Sequence, residues 1–256
     1  MSKVIKQLYF SPSGTTKKIS NLFCLNTQLD TTEIDLLHDD NLWEVHFGEE
    51  DFVVVTLPVF SGRIPSICRE ILSTMEGNGA KVVAIVVYGN RDYDDALLEL
   101  VNLLKQQNFN VISAAACIAH HSIFTNVAIG RPDEHDLKKI AEFANRCKEA
   151  YKKEVRGELA ISGNYPYKEV GASKMKPITD SKCNKCQICV NICPVFAISA
   201  ANPQITDVDK CISCTACITH CPMKARAFPK ELYEVARVPF EEKNAKRKEA
   251  EFFYLK

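Results

Sequence analysis

Over residues 1–155, near-continuous apolar runs alternate with amphipathic stretches. Val4–Phe10, Phe52–Leu57 (FVVVTL), Lys81–Val87 (KVVAIVV) and Asn110–Ala116 predict strands, and Thr32–Leu36 a weaker one. β-Branched runs without polar alternation suit a sheet covered on both faces. Between them, Ile19, Leu22 and Phe23 share one helical face, and Ala96, Leu97, Leu100, Val101 and Leu104 share another. Residues 133–154 predict a long last helix with Ile140, Phe143, Ala144 and Cys147 as its stripe. Strand followed by helix, five times over, predicts an α/β doubly wound domain with a five-stranded parallel sheet.

The pattern then changes. Residues 156–177 are rich in Gly, Pro, Ser and Tyr and read as a linker, docked through its tyrosines. Residues 178–228 hold most of the cysteines and little apolar core, so bound metal has to hold this module folded. Residues 229–256 predict a charged helical tail with Phe240, Phe252, Phe253 and Leu255 as its apolar points. Lys plus Arg and Asp plus Glu are both 32, so the formal charge of zero calls for neither nucleic acid nor an anionic membrane. The opening MSKVIKQLYF is too short in apolar residues for a signal peptide, and no run reaches the length of a span. A cytoplasmic protein is expected.

Eight of the twelve cysteines fall in two matching runs. KCNKCQICVNICP carries Cys183, Cys186, Cys189 and Cys193; KCISCTACITHCP carries Cys211, Cys214, Cys217 and Cys221. Zinc sites usually pair one CxxC with a distant second pair. Three closely spaced thiols, a fourth three residues on and a proline make the bacterial [4Fe–4S] run, in which the fourth cysteine binds the other cluster. That rule assigns Cys183, Cys186, Cys189 and Cys221 to one cluster, and Cys211, Cys214, Cys217 and Cys193 to the other. The scattered Cys24, Cys68, Cys117 and Cys147 have no ligand spacing and read as buried small apolar residues.

The ends of the predicted strands carry a second set of signals. After the first strand, Ser11, Ser13, Thr15 and Thr16 surround Gly14 and a helix begins, a sequence suited to an anion. An ordinary capped helix is the plain alternative. No GxxxxGK[ST] or GxGxxG is present. After the third strand come Pro58, Val59, Phe60, Ser61, Gly62 and Arg63; after the fourth, Tyr88, Gly89, Asn90, Arg91 and Tyr93. Ligands of open α/β sheets bind beyond the carboxyl ends of the strands. A phosphate loop with two aromatic loops suits flavin mononucleotide (FMN).

SPSGTT resembles the flavodoxin phosphate loop. With PVFSGRIP, YGNRDYDDALLEL, AHHSIFTNVAIGRPDEHD and the two cysteine runs in this order, the chain resembles flavodoxin–ferredoxin fusion proteins of anaerobes over nearly its whole length. The resemblance implies a flavodoxin-like FMN domain, a small α+β bacterial 2[4Fe–4S] ferredoxin-like domain and an electron-transfer role. It carries over the phosphate-loop residues and the two flavin-facing loops named above. One departure stands out. Short-chain flavodoxins often set acidic residues near the ring, whereas Arg63 and Arg91 occupy these loops here and are expected to favour a reduced, anionic flavin.

Clusters move single electrons and a flavin holds one or two, so the leading expectation is a carrier that converts between them. Redox proteins, and a second copy of this chain, are the expected partners. The alternative is a reductase of a quinone, nitroaromatic, oxygen species or corrinoid, which needs an open flavin pocket. His120 and His121, in the long loop after the fifth strand, are expected to be exposed or capping, or else to approach the flavin edge.

Overall fold

A computed structural model describes residues 4–39, 41–154, 157–171 and 173–255. The expected boundary at 155–156 lies outside the described residues. Five parallel strands form where the apolar runs predict them: β1 (Val4–Tyr9), β2 (Asp30–Asp35), β3 (Phe52–Pro58), β4 (Lys81–Tyr88) and β5 (Asn110–Ile118). They lie in the order β2-β1-β3-β4-β5, the doubly wound order of flavodoxin-like sheets. Helices α1 (Thr15–Thr27), α2 (Ser66–Leu72), α3 (Ala96–Gln106) and α4 (Glu134–Tyr151) cover the two faces.

Each face has its own core. Ile19 and Phe23 of α1 meet Ile140, Phe143 and Cys147 of α4 over Val54, Val83, Ile85 and Ala115. Leu72 of α2 and Leu97, Leu100 and Leu104 of α3 cover Val53, Val55, Val82, Ala84 and Val86 on the other side. Successive residues of β3 and β4 thus feed opposite cores, which is why those strands carry no polar alternation. Cys24, Cys68, Cys117 and Cys147 are buried as expected, and burial pushes the Cys24, Cys117 and Cys147 thiols up to about 12.

Beyond the linker, β6 (Ile178–Thr179) pairs with β7 (Arg226–Ala227) and brackets two one-turn helices, α5 (Ile188–Asn191) and α6 (Ala216–Thr219). The tail departs from expectation. It begins as a helix, α7 (Lys230–Lys243), but ends as β8 (Glu251–Tyr254), a sixth strand antiparallel to β5. Phe252 and Tyr254 pack into the α1–α4 core and Phe253 into the opposite one, so β8 covers an otherwise open sheet edge. Among the described residues no helix is long and apolar enough to cross a membrane.

Candidate functional site

A cavity of about 260 Å³ sits beyond the carboxyl ends of β1, β3, β4 and β5. Eleven of the sixteen residues expected to bind flavin line it: Ser13, Thr15 and Thr16 from the first loop, Pro58, Val59, Phe60, Ser61 and Gly62 from the second, and Tyr88, Gly89 and Arg91 from the third. Gly14 caps α1 with φ 84°, a left-handed conformation that lets the chain turn from strand into helix. Thr15 and Thr16, in the first turn of α1, line the cavity. Phe60 and Arg63 close the second loop by exchanging backbone hydrogen bonds of 2.9 and 3.2 Å.

Five of the sixteen do not line it, each for a physical reason. The Ser11 hydroxyl is engaged as a cap, accepting from the Lys17 N–H at 2.8 Å. Gly14 itself faces the outer side of α1, beside Lys17 and Lys18. Tyr93 is buried behind Tyr88, edge to face at 5.5 Å. Asn90 is buried and holds the tail: its amide donates to the carbonyls of Asn244 and Lys246 and accepts from the Lys248 N–H. Arg63 forms a two-bond fork with Glu99 of α3, at 2.7 Å each, donates to the Lys168 carbonyl and stacks on Tyr167. Its charge is therefore paired with Glu99, beneath the linker. Arg91 lines the cavity but is paired with Asp94, which also holds Lys168.

The linker is docked, though chiefly through a carboxylate. Asp95 is fully buried at the start of α3 and accepts from the Asn164 N–H and side chain and from the Lys168 N–H, at 2.7, 3.2 and 2.7 Å. Burial pushes the Asp95 carboxyl up, but these donors outweigh it and hold the group below the usual carboxylate range. Hydrogen bonds to a charged group contribute about 1.5–3 kcal/mol each. Asp95→Ala should therefore speed proteolytic cleavage within residues 157–171 by at least about tenfold, and an unchanged digestion pattern would show the linker is held elsewhere.

Sequence reasoning missed the remaining walls. Ser122, Ile123 and Phe124 come from the loop after β5, Ser173 and Met175 from the linker, Ile212 and Ser213 from the cysteine module, and Phe240 from α7. Phe240 was singled out only as an apolar point; its ring lies 4.4 Å from Phe124 and 5.0 Å from His121. His121 also lines the cavity. Its Nδ1 accepts from the N–H groups of Ile123 and Phe124 at 3.1 and 3.0 Å, which leaves Nε2 to carry the proton. Burial, then His120 and Arg91, push its pKa down to about 4, so near neutral pH this imidazole is an uncharged donor at Nε2. His120 lines the cavity too and meets the Thr125 carbonyl.

The eight clustered cysteines divide between two small cavities. Cys183, Cys186, Cys189 and Cys221 line one; Cys193, Cys211, Cys214 and Cys217 line the other. Each set takes three thiols from one run and the fourth from the other, the crossed arrangement the spacing predicts. Among the described residues no three His, Cys, Asp or Glu side chains converge on a single ion. Backbone N–H groups point at sulfur in both: Ala197 to Cys193, Ala225 to Cys221 and Ser213 to Cys211, at 3.2–3.4 Å. Thr215 Oγ1 in the second cavity and Arg226 Nε in the first are buried without a hydrogen-bond partner. Donors left over around a ring of thiols fit a cluster with acceptor sulfides. Burial pushes the Cys214 and Cys217 thiols up to about 12 and about 11, so ligation as thiolates draws on the charge of bound iron.

A family described as a 4Fe-4S binding domain matches residues 176–199, and a second of the same description matches residues 208–224. The chain thus joins a doubly wound α/β domain of flavodoxin-like strand order to two segments that match 4Fe-4S binding domains. Comparison with curated proteins returns no match. Among solved structures, a flavodoxin from the domain Archaea is 16% identical over 59% of this chain and 99% of its own, with a TM-score of 0.43. The flavodoxin of Streptococcus pneumoniae TIGR4 is 16% identical over 57% and 98%, with 0.42. A flavodoxin variant of Fusobacterium nucleatum bound to flavin mononucleotide is 13% identical over 61% and 99%, with 0.40. Similarity at this level carries no argument about function.

Proposed function

We propose that this chain is an electron-transfer iron–sulfur flavoprotein, with two [4Fe–4S] clusters in the cysteine cavities and FMN in the cavity at the strand ends. One observation carries the reading. Ile212, between the ligands Cys211 and Cys214, lines both the second cysteine cavity and the cavity at the strand ends. The two spaces thus share a lining residue, which makes the Cys193–Cys211–Cys214–Cys217 cluster the one beside the flavin. Lys176 of the linker holds the Cys211 carbonyl, and Ile212 packs on the core of the α/β domain, so the arrangement is braced from both sides.

FMN supplies a site for one or two electrons, and the clusters pass them singly. The chain's own residues do the rest. Ser13, Thr15 and Thr16 offer hydroxyls and N–H groups to a terminal phosphate. Phe60, Tyr88, Phe124 and Phe240 give the walls for a flat ring, and neutral His121 offers a donor at Nε2. The linker, the cysteine module and α7 cover the cavity, which supports a carrier over a reductase with its own small-molecule substrate.

The test is anaerobic purification followed by mass spectrometry of the released cofactor, iron analysis and turnover assays. FMN and roughly eight iron per chain are expected, as two [4Fe–4S] clusters require. The reduced protein should reduce quinones and nitroaromatics no faster than free reduced FMN does. FAD alone or no flavin overturns the flavin assignment, and iron near four per chain, about one cluster's worth, overturns the second cluster. Fast, saturable turnover of a small acceptor would make the chain a reductase.

A further inference from the structure

The two halves of the cysteine module repeat one another, and they differ at one buried position. Cys183 corresponds to Cys211 and Cys193 to Cys221. Lys185, Gln187 and Phe196 have positive φ in the first half, and Ser213, Thr215 and Lys224 do so in the second. Ala197 N–H donates to Cys193 Sγ as Ala225 N–H does to Cys221 Sγ. The next residue in each half is Ile198 and Arg226. Ile198 is 5% exposed and lines the Cys193–Cys211–Cys214–Cys217 cavity, whereas Arg226 is 3% exposed and lines the Cys183–Cys186–Cys189–Cys221 cavity.

A buried guanidinium needs an anion, because stripping it of water costs several kcal/mol. No Asp or Glu among the described residues pairs with Arg226. Its Nη1 donates to the Pro203 carbonyl at 2.7 Å and lies 3.7 Å from Cys189 Sγ; Nη2 donates to the Thr206 hydroxyl, and Nε is unpartnered. Every protein partner is neutral or a cluster ligand. A [4Fe–4S] cluster with four thiolates is anionic in both redox states, and each reduction adds one further negative charge.

We infer that Arg226 is the built-in counter-ion of the Cys183–Cys186–Cys189–Cys221 cluster and makes the two clusters unequal. This rests on the reading of the module as a two-cluster carrier. The guanidinium lines the outer cavity and donates to Cys189 Sγ, so it favours the added electron there, while the cluster beside the flavin has isoleucine in the same place and feels Arg226 only through Cys217. Electrons therefore rest on the outer cluster and reach the flavin by way of the less favoured inner one.

The test is a redox titration followed by paramagnetic resonance on the intact chain, comparing wild type with Arg226→Ile and Arg226→Lys. Isoleucine is the choice because the other half already accommodates it at this position. In Arg226→Ile, the reduced-to-oxidised ratio of the outer cluster at a fixed potential should fall at least tenfold, equivalent to about 59 mV for one electron, with a smaller change in the inner cluster. Arg226→Lys should stay near wild type. If Arg226→Ile loads no outer cluster while Arg226→Lys loads it at the wild-type potential, the need for charge is likewise upheld. Unchanged potentials in a fully loaded Arg226→Ile overturn the inference, as does failure of both variants to load. Wild-type protein lacking either cluster would instead sink the two-cluster reading itself.

Discussion

Cys193→Ala should cost the chain the cluster of Cys211, Cys214 and Cys217 and spare the one nearest to it in sequence. Iron content should fall from roughly eight to roughly four per chain. The resonance signal lost should match that lost in Cys214→Ala, and the signal kept should be the one that Cys189→Ala removes. The reason is where the chain goes after α5. Cys193 shares a cavity with Val195, Ala197, Cys211, Cys214 and Cys217, while Cys221 sits beside Cys183, Cys186 and Cys189. Each run thus lends its last cysteine to the other half, and the β6–β7 pair ties the two ends of the module together. Because Ile212 lines both this cysteine cavity and the cavity proposed for FMN, the same variant should keep its flavin yet reduce it more slowly from a one-electron donor. If Cys193→Ala and Cys189→Ala lose the same signal, ligation is not crossed.

What could be read in the sequence depended on how far apart the interacting residues lie. Four of the five parallel strands were legible because each is a local apolar run largely buried on both faces, whereas β2, exposed over residues 30–33, carried only the weaker signal at Thr32–Leu36. The crossed grouping of the cysteines, three from one run and one from the other in each cavity, was legible because iron–sulfur spacing is itself a local pattern. β8 was not: Glu251–Tyr254 is four residues long, and its pairing partner β5 is remote in sequence. The arginines failed for a related reason. Arg63 is correctly in a strand-end loop, but Glu99 on α3 claims it, and no local pattern announces that pair. Asn90 is likewise claimed by the tail. The covering wall of the cavity, Met175, Ile212 and Phe240 among it, is assembled from three segments that meet only in the folded chain. With Arg63 engaged by Glu99 and Arg91 paired to Asp94, the positive charge expected at the flavin is largely offset.

Gly62→Ala should weaken FMN binding far more than Gly14→Ala, although both glycines have positive φ. At Gly14, φ is 84° and an added Cβ meets nothing within 4 Å. The substitution there carries only the cost of a left-handed backbone, about 1–2 kcal/mol, or roughly a tenfold loss of affinity if the loop relaxes on losing its ligand. At Gly62, φ is 90° and the added Cβ would stand 2.0 Å from Asp94 Oδ2 and 2.8 Å from Asp94 Cβ. Something must move, and Asp94 is not free to: it holds both Arg91 and Lys168, and the next residue, Asp95, donates its N–H to the Gly62 carbonyl at 3.1 Å. Overpacking of this kind adds about 1–3 kcal/mol to the backbone cost. The strain falls on a loop whose Ser61 and Gly62 line the cavity. Combined, these predict a loss of affinity on the order of a hundredfold or more for Gly62→Ala. Quenching of FMN fluorescence on titration with flavin-free protein measures both constants. Iron content should be unchanged in either variant, since neither glycine approaches the cysteine cavities. Equal losses in the two variants would mean that Asp94 yields readily, and intact affinity in both would remove these loops from the flavin site.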